Sequence, residues 1–267
     1  MRIPFVKAHG CGNDFLLTWI ADSPRESLPE AAQALCDRHT GAGADGWYLV
    51  TPPQDGRDAV IRLFNSDGSA AELSGNGTRC SAAFLMDAGL AGETVGILTG
   101  AGVKELKLLN RQGNRFQFEM NMGVPHYSSE EVRFPLSLNG GPREVTIVDV
   151  GNPQCAVVVE EFPADWTRLG AEIERHPHFP RRTNVSFVRR LDEHTIEARF
   201  WERGAGETLS SGTGSTGAAV AAVLRGLVSS PVRVIGATGA LDLRWEGAVH
   251  LSGPAEIVAR GEFYWQG

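Results

Sequence analysis

One short stretch of this chain is written twice. Ser74-Gly75-Asn76-Gly77 and Ser211-Gly212-Thr213-Gly214 lie 137 positions apart, and each leads from an extended segment into an almost wholly apolar run. The same shift superposes Ala82 on Ala219, Gly89 on Gly226 and Leu90 on Leu227. A second pair agrees with the first: Asn13 of Gly12-Asn13 stands 61 residues before Ser74, and Asn152 of Gly151-Asn152 stands 59 before Ser211. The runs 82–86 and 218–224 have no polar face wide enough for solvent, and a helix apolar all round is a buried one. Such a chain is expected to fold as α/β (α+β), in two pseudo-symmetric halves, each a curled, barrel-like sheet around a buried central helix. The two helix N-termini are expected to face one cleft, which suits an anionic substrate handled from two sides.

Runs rich in β-branched and aromatic residues, broken by Gly, Asn or Pro, predict about six strands per half. They fall at 3–7, 47–51, 59–64, 95–99, 103–109 and 115–120, then at 145–150, 156–160, 185–189, 195–201, 232–235 and 241–245. Helices are predicted at 31–38 with Pro29 at its start, and at 77–88, 164–175 and 214–225. Gly123, Pro125, Asn139-Gly140-Gly141 and Pro142 mark the junction. The N-terminal half is then 1–122, completed by a C-terminal strand over 256–267, and the C-terminal half is 123–255.

With 267 residues the chain can bury a sizeable core, and its apolar and charged fractions, 42% and 21%, are those of an ordinary globular protein. A formal charge of -7 with no Lys/Arg cluster argues against nucleic acid or an anionic membrane as partner. Residues 1–7 read as a strand rather than a signal peptide, and 218–224 is far too short to span a bilayer, so a cytoplasmic protein is expected. Cys11, Cys36, Cys80 and Cys155 match neither a zinc pattern nor a disulfide scaffold and read as reduced thiols. His176-Pro177-His178 has the look of a ligand pair but no Cys or carboxylate cluster beside it, so no metal site is expected.

Seven blocks then carry a resemblance. They are His9-Gly10-Cys11-Gly12-Asn13-Asp14-Phe15, the run from Asp37 to Gly46, Phe64-Asn65-Ser66-Asp67-Gly68-Ser69, Gly75-Asn76-Gly77-Thr78-Arg79-Cys80, Gly151-Asn152-Pro153, Arg182-Thr183-Asn184-Val185, and the run from Glu202 to Thr208. In this order, over nearly the whole chain, they resemble the diaminopimelate epimerase family of pyridoxal-phosphate-independent amino-acid isomerases. The resemblance implies no cofactor and a substrate that is a small amino acid with a distal carboxylate and amine. The reaction it implies is LL- to meso-diaminopimelate, which feeds lysine and peptidoglycan synthesis. It leaves a homodimer open. It also implies that Gly75-Asn76 and Gly212-Thr213 hold the α-carboxylate, and that Asn13, Asn65, Asn152, Asn184, Glu202 and Arg203 contact the amino groups and the far carboxylate. Arg203 suits a bidentate grip on that carboxylate.

The departures fall at the chemical centre. Where the family has two catalytic cysteines this chain has Ser74 and Ser211, and where it has an assisting histidine this chain has Gln154. A thiol pKa of roughly 8.5 is lowered to about 3.5–7.5 at a helix N-terminus, within reach of a general base. A serine hydroxyl stays protonated there and works only when a second group takes its proton. Glu202 is the acid/base candidate that the resemblance supplies. Ser74 and Ser211 also suit plain N-caps, and Asn13 and Asn152 suit turns. Three functions follow: an epimerase acting on diaminopimelate, a diverged isomerase or dehydratase using a carboxylate in place of thiols, and an inactive amino-acid-binding paralogue. Deliberate Cys→Ser exchange would account for the serines but not for Gln154.

Overall fold

The computed structural model describes residues 1–54 and 58–267, and the chain divides into two units, 1–120 with 253–267, and 121–252. The first unit contains β1 (Arg2–Gly10), β2 (Asn13–Trp19), α1 (Leu28–Cys36), β3 (Gly46–Thr51), β4 (Ala59–Asn65), β5 (Ala70–Ala71), α2 (Gly75–Asp87), β6 (Thr94–Thr99), β7 (Gly102–Gln112) and β8 (Arg115–Gly123). Strand pairing runs β1, β2, β3, β4, β6, β7, β8. The C-terminal strand, Ala248–Tyr264, pairs with β1 and with β8, so eight strands close a circuit: the six expected runs, the C-terminal strand and β2, which was not expected. The β2–β3 and β4–β6 pairs are parallel and the other pairs of known register are antiparallel.

The second unit contains β9 (Phe134–Leu138), β10 (Gly141–Asp149), β11 (Pro153–Val158), α3 (Trp166–Glu174), β12 (Asn184–Arg190), β13 (Thr195–Glu202), β14 (Gly206–Thr208), α4 (Gly212–Leu224), β15 (Val232–Gly236), β16 (Gly239–Glu246) and the start of β17 (Ala248–Tyr264). Its pairing order is β9, β10, β11, β12, β13, β15, β16, β17, with β14 an added edge on β13. Again two pairs are parallel, β11–β12 and β13–β15, in the places that β2–β3 and β4–β6 hold in the first unit.

Each unit has one inner and one outer helix. Every residue of α2 from Gly75 to Met86 is buried, as are ten positions of α4, which packs against β10, β11, β12, β13, β15 and β16. The repeated Gly-Leu pairs end these helices. Gly89 and Gly226 take positive φ, 72° and 68°, and the amides of Leu90 and Leu227 bond back to Leu85 and Ala222. That is the Schellman stop, in which glycine accepts a left-handed conformation at little cost. The outer helices cover the other sheet face. Leu35 of α1 packs with Leu16, Trp47 and Leu49, and Trp166, Leu169 and Ile173 of α3 pack with Val157 and Phe187. Among the described residues no helix is long and apolar enough to cross a membrane.

Candidate active site

In the first unit the turn before α2 is built by Ser74. Its backbone is extended (φ -128°, ψ 123°), and its Oγ accepts the amide of Gly77 at 3.2 Å, the geometry of an N-cap. Beneath the turn lies Tyr48, 1% exposed, so close that a Cβ on Gly77 would fall 2.4 Å from its hydroxyl oxygen. That hydroxyl makes no well-aligned hydrogen bond among the described residues, though Ser74 and Thr78 are near enough to act on it. Burial pushes the phenol far above its ordinary range, and Ser74 and Thr78 offset only part of this.

Asn76 and Asn13 join the same network. Asn76 Nδ2 donates to Asn13 Oδ1 at 3.3 Å, and Asn13 Nδ2 donates to Asp45 at 2.6 Å. Arg38 holds Asp45 at 2.8 Å and Asp14 at 2.7 Å, and Lys7 reaches Asp14 at 3.1 Å. Burial raises the Asp14 carboxyl, but the bonds to Arg38 and Lys7 together outweigh it and hold the group below the usual carboxylate range. Asn65, at the end of β4, bonds to Ser69 Oγ at 2.9 Å.

In the second unit Ser211 repeats the cap, with φ -139°, ψ 124°, and its Oγ accepting the Gly214 amide at 3.0 Å. Here the neighbour is an acid. Glu202, the last residue of β13, is half-buried with the hydroxyls of Ser211 and Thr208 close by. Burial pushes its carboxyl above the usual range, and the two hydroxyls offset part of that rise. Thr208 Oγ1 is buried without a well-aligned hydrogen bond among the described residues, yet near enough to act on Glu202. Asn152 donates to Thr213 Oγ1 at 3.3 Å and accepts from Gln154 Nε2 at 2.7 Å. Gln154 is sealed under α4, where Gly217 leaves room for it, and its Oε1 has no hydrogen-bond partner among the described residues.

Asn184 is committed to structure. It donates to Pro153 O at 3.1 Å and accepts the Arg203 amide at 2.9 Å. The Arg203 guanidinium is exposed and bonds to Arg181 O at 3.0 Å. The turn that carries Glu202 and Arg203 is braced from below by Glu174, which accepts from Trp201 Nε1 at 2.9 Å and Gly204 N at 3.1 Å. His176 bonds to Ser137 O and to the His178 amide, and no metal-holding cluster occurs among the described residues.

Comparison with known proteins fits this geometry. The family described as diaminopimelate epimerase matches residues 5–128 and 146–264. The chain belongs to the diaminopimelate epimerase family. A diaminopimelate epimerase of Moorella thermoacetica is 40% identical over 275 residues, covering 97% of this chain and 98% of that protein. A diaminopimelate epimerase of Synechocystis sp. is 40% identical over 280 residues, covering 98% and 99%. In fold, the chain is similar to a hydroxyproline epimerase from Agrobacterium vitis, with a TM-score of 0.67 at 17% identity over 98% of this chain and 92% of that one.

Within the diaminopimelate epimerase family this chain is an isomerase without thiols at its helix caps. All four cysteines lie elsewhere and are buried. Burial pushes the Cys36 and Cys80 thiols to about 12 and Cys155 higher still, so none of these three is a thiolate at neutral pH. Tyr48, Asp45, Arg79 and Glu174 escaped the sequence reading as site residues. A signal for Glu174 was present: it falls on the buried stripe Trp166, Leu169, Gly170, Ile173 of α3, where a carboxylate is out of place. Tyr48 gave none, since an aromatic residue on a buried strand reads as core.

Proposed function

We propose that this protein is a cofactor-independent isomerase acting at the α-carbon of an amino acid, with LL- to meso-diaminopimelate as its reaction. The observation that carries this reading is the Glu202 carboxyl set against the capping hydroxyl of Ser211, its pKa raised by burial. A base is most effective when its pKa approaches the working pH, and a serine hydroxyl becomes useful when a neighbour can take its proton. Glu202 then accepts the α-proton, directly or through Ser211. The helix starts that follow Ser74 and Ser211 carry partial positive charge, which favours a carboxylate. Inversion also needs a proton returned on the opposite face of that carbon.

A second reading has a specific observation in its favour. Phe15, Gly46 and Asn65 form one cross-strand row in the first unit. Gln154 pairs with Asn184 in the second, and the register of Val185 with Trp201 carries one step further to Asn184 and Glu202. The position that holds the acid in one unit thus holds an amide in the other. One carboxylate and no second base suits an isomerase that shifts a proton on one face, or a dehydratase.

Proton NMR of LL-diaminopimelate in D₂O with the native protein, with Glu202→Gln and with a Ser74→Cys/Ser211→Cys double variant separates these readings. Deuterium at the α-carbon with growth of the meso isomer, abolished in Glu202→Gln, is the expected result. Exchange without inversion favours the one-base reading. Exchange in the double-cysteine variant alone means a diaminopimelate pocket that has lost its acid/base pair, and silence from all three removes diaminopimelate as substrate.

A further inference from the structure

Glu174, the last residue of α3, is a carboxylate only 2% exposed on the buried stripe of that helix. Both of its oxygens are engaged. Oε2 accepts from Trp201 Nε1 at 2.9 Å, and Oε1 accepts from the Gly204 amide at 3.1 Å and from Arg182 Nη1 at 3.4 Å. Burial raises the carboxyl, but these bonds and the charges of Arg175 and Arg182 prevail and hold it below the usual carboxylate range.

The Trp201 and Gly204 donors bracket Glu202: one belongs to the residue before it, the other to the residue two places after. Trp201 is also gripped one helical turn earlier, where a Cβ on Gly170 would lie 2.8 Å from its side chain. One helix thus fixes the chain on both sides of Glu202. A carboxylate can serve both donors at once, whereas glutamine has one acceptor oxygen and would turn an NH₂ group towards one of them.

The first unit shows that the turn itself does not require an acid behind it. Gly68 N bonds to Asn65 O at 2.9 Å there, as Ala205 N bonds to Glu202 O at 3.1 Å. In that unit α1 ends in Cys36, a neutral thiol, and Phe64 stands where Trp201 does, with no ring donor. Gln33 of α1 holds the turn by donating to Asp67 O at 2.6 Å. The carboxylate and its indole partner are found behind the turn that carries an acid, and not behind the one that carries an amide.

We propose that Glu174 is a positioning residue: by pinning Trp201 and Gly204 it holds the Glu202 carboxyl against the Ser211 hydroxyl. This role rests on Glu202 being the acid/base of the function proposed above.

The test compares the native protein with Glu174→Gln. Glu202 is titrated by NMR in protein ¹³C-labelled at the glutamate carboxyls, its signal assigned by its loss in Glu202→Gln, and kcat and KM for diaminopimelate are measured alongside. In Glu174→Gln the Glu202 midpoint is expected to fall towards the ordinary carboxylate value, as the loosened turn admits water. A displaced acid/base should lower kcat about tenfold to a hundredfold. KM should change little, because Arg203 keeps its bonds to Asn184 and Arg181. A brace that served packing alone would lower Tm and leave the midpoint and kcat where they were, which overturns the proposal. Should Glu174→Gln fail to fold, Trp201→Phe, which copies Phe64, removes one of the two bracing bonds. A smaller fall in the midpoint is then expected, and no change overturns the proposal. Full α-proton exchange in Glu202→Gln would sink the proposed function, while the Glu202 midpoint still decides whether Glu174 holds that carboxyl in place.

Discussion

At the scale of single residues the group on which the proposed function turns is Glu202. Removing a positioned general acid/base costs about 10²–10⁴-fold in rate, so Glu202→Gln is expected to lose α-proton exchange by that factor while still binding substrate. Its pKa also links activity and stability to pH. Burial raises the folded carboxyl above its ordinary value, so the folded state holds a proton that the unfolded chain releases. The stability this contributes is fully present below the unfolded value and is lost as pH rises through the folded one. Thermal unfolding of Glu202→Gln followed from pH 4 to pH 8 should show a smaller loss of stability on that rise than the native protein does. Asp14 has the opposite sign. Its folded pKa is lowered, with burial opposing and Arg38 and Lys7 prevailing, so its contribution is present above the unfolded value and lost as pH falls through the folded one. Asp14→Asn should cost about 1–3 kcal/mol at pH 7 and far less at pH 2, measured by urea unfolding.

At the scale of elements, the serines turn out to be caps whose neighbours differ. Both accept the amide three residues on, so Ser74→Ala and Ser211→Ala should each cost about 0.5–2 kcal/mol in denaturant melts. Only Ser211→Ala also removes a hydroxyl that lowers the Glu202 pKa. The acid limb of its pH–rate profile should therefore move upward, while that of Ser74→Ala stays put. The close approach of α2 to the sheet is equally testable. A Cβ on Gly77 would lie 2.3 Å from the Tyr48 ring, and overpacking of that kind costs about 1–3 kcal/mol. Gly77→Ala should be destabilised by this amount and recover much of it when combined with Tyr48→Leu. Additive losses in the double variant would rule out that contact as the cause.

For the whole molecule, the C-terminal strand matters most. β17 pairs with β1 from Arg2–Tyr264 to His9–Glu256, and the first unit is not closed without it. Deleting residues 253–267 leaves β1 with an unpaired edge and removes the Pro254 carbonyl that Arg79 uses. The truncated protein is expected to lose cooperative thermal unfolding of the first unit and to aggregate through that edge, as circular dichroism and size-exclusion chromatography would show.

How much of this was written in the sequence differs element by element. Both buried helices could be read from the repeat, because an apolar run with no polar face and a Gly-Leu stop needs only local rules. β2 could not: its residues 14–18 are buried on both faces and pair in parallel with β3, which erases the alternation that marks a strand. β17 was foreseen only over 256–267, since Gly253 and Pro254 interrupt its pattern. The chain by itself determined its family, its two matched halves and the absence of thiols from both caps, since these depend on residue identity and order. The tertiary structure alone decided that Tyr48 stands behind Ser74, that Glu202 stands beside Ser211, and that Arg79 is buried with no carboxylate in ion-pair reach among the described residues. Each of these is a cross-strand or helix-to-sheet contact, fixed by strand register and by how closely glycine lets a helix approach, and neither is written in any local stretch of the chain.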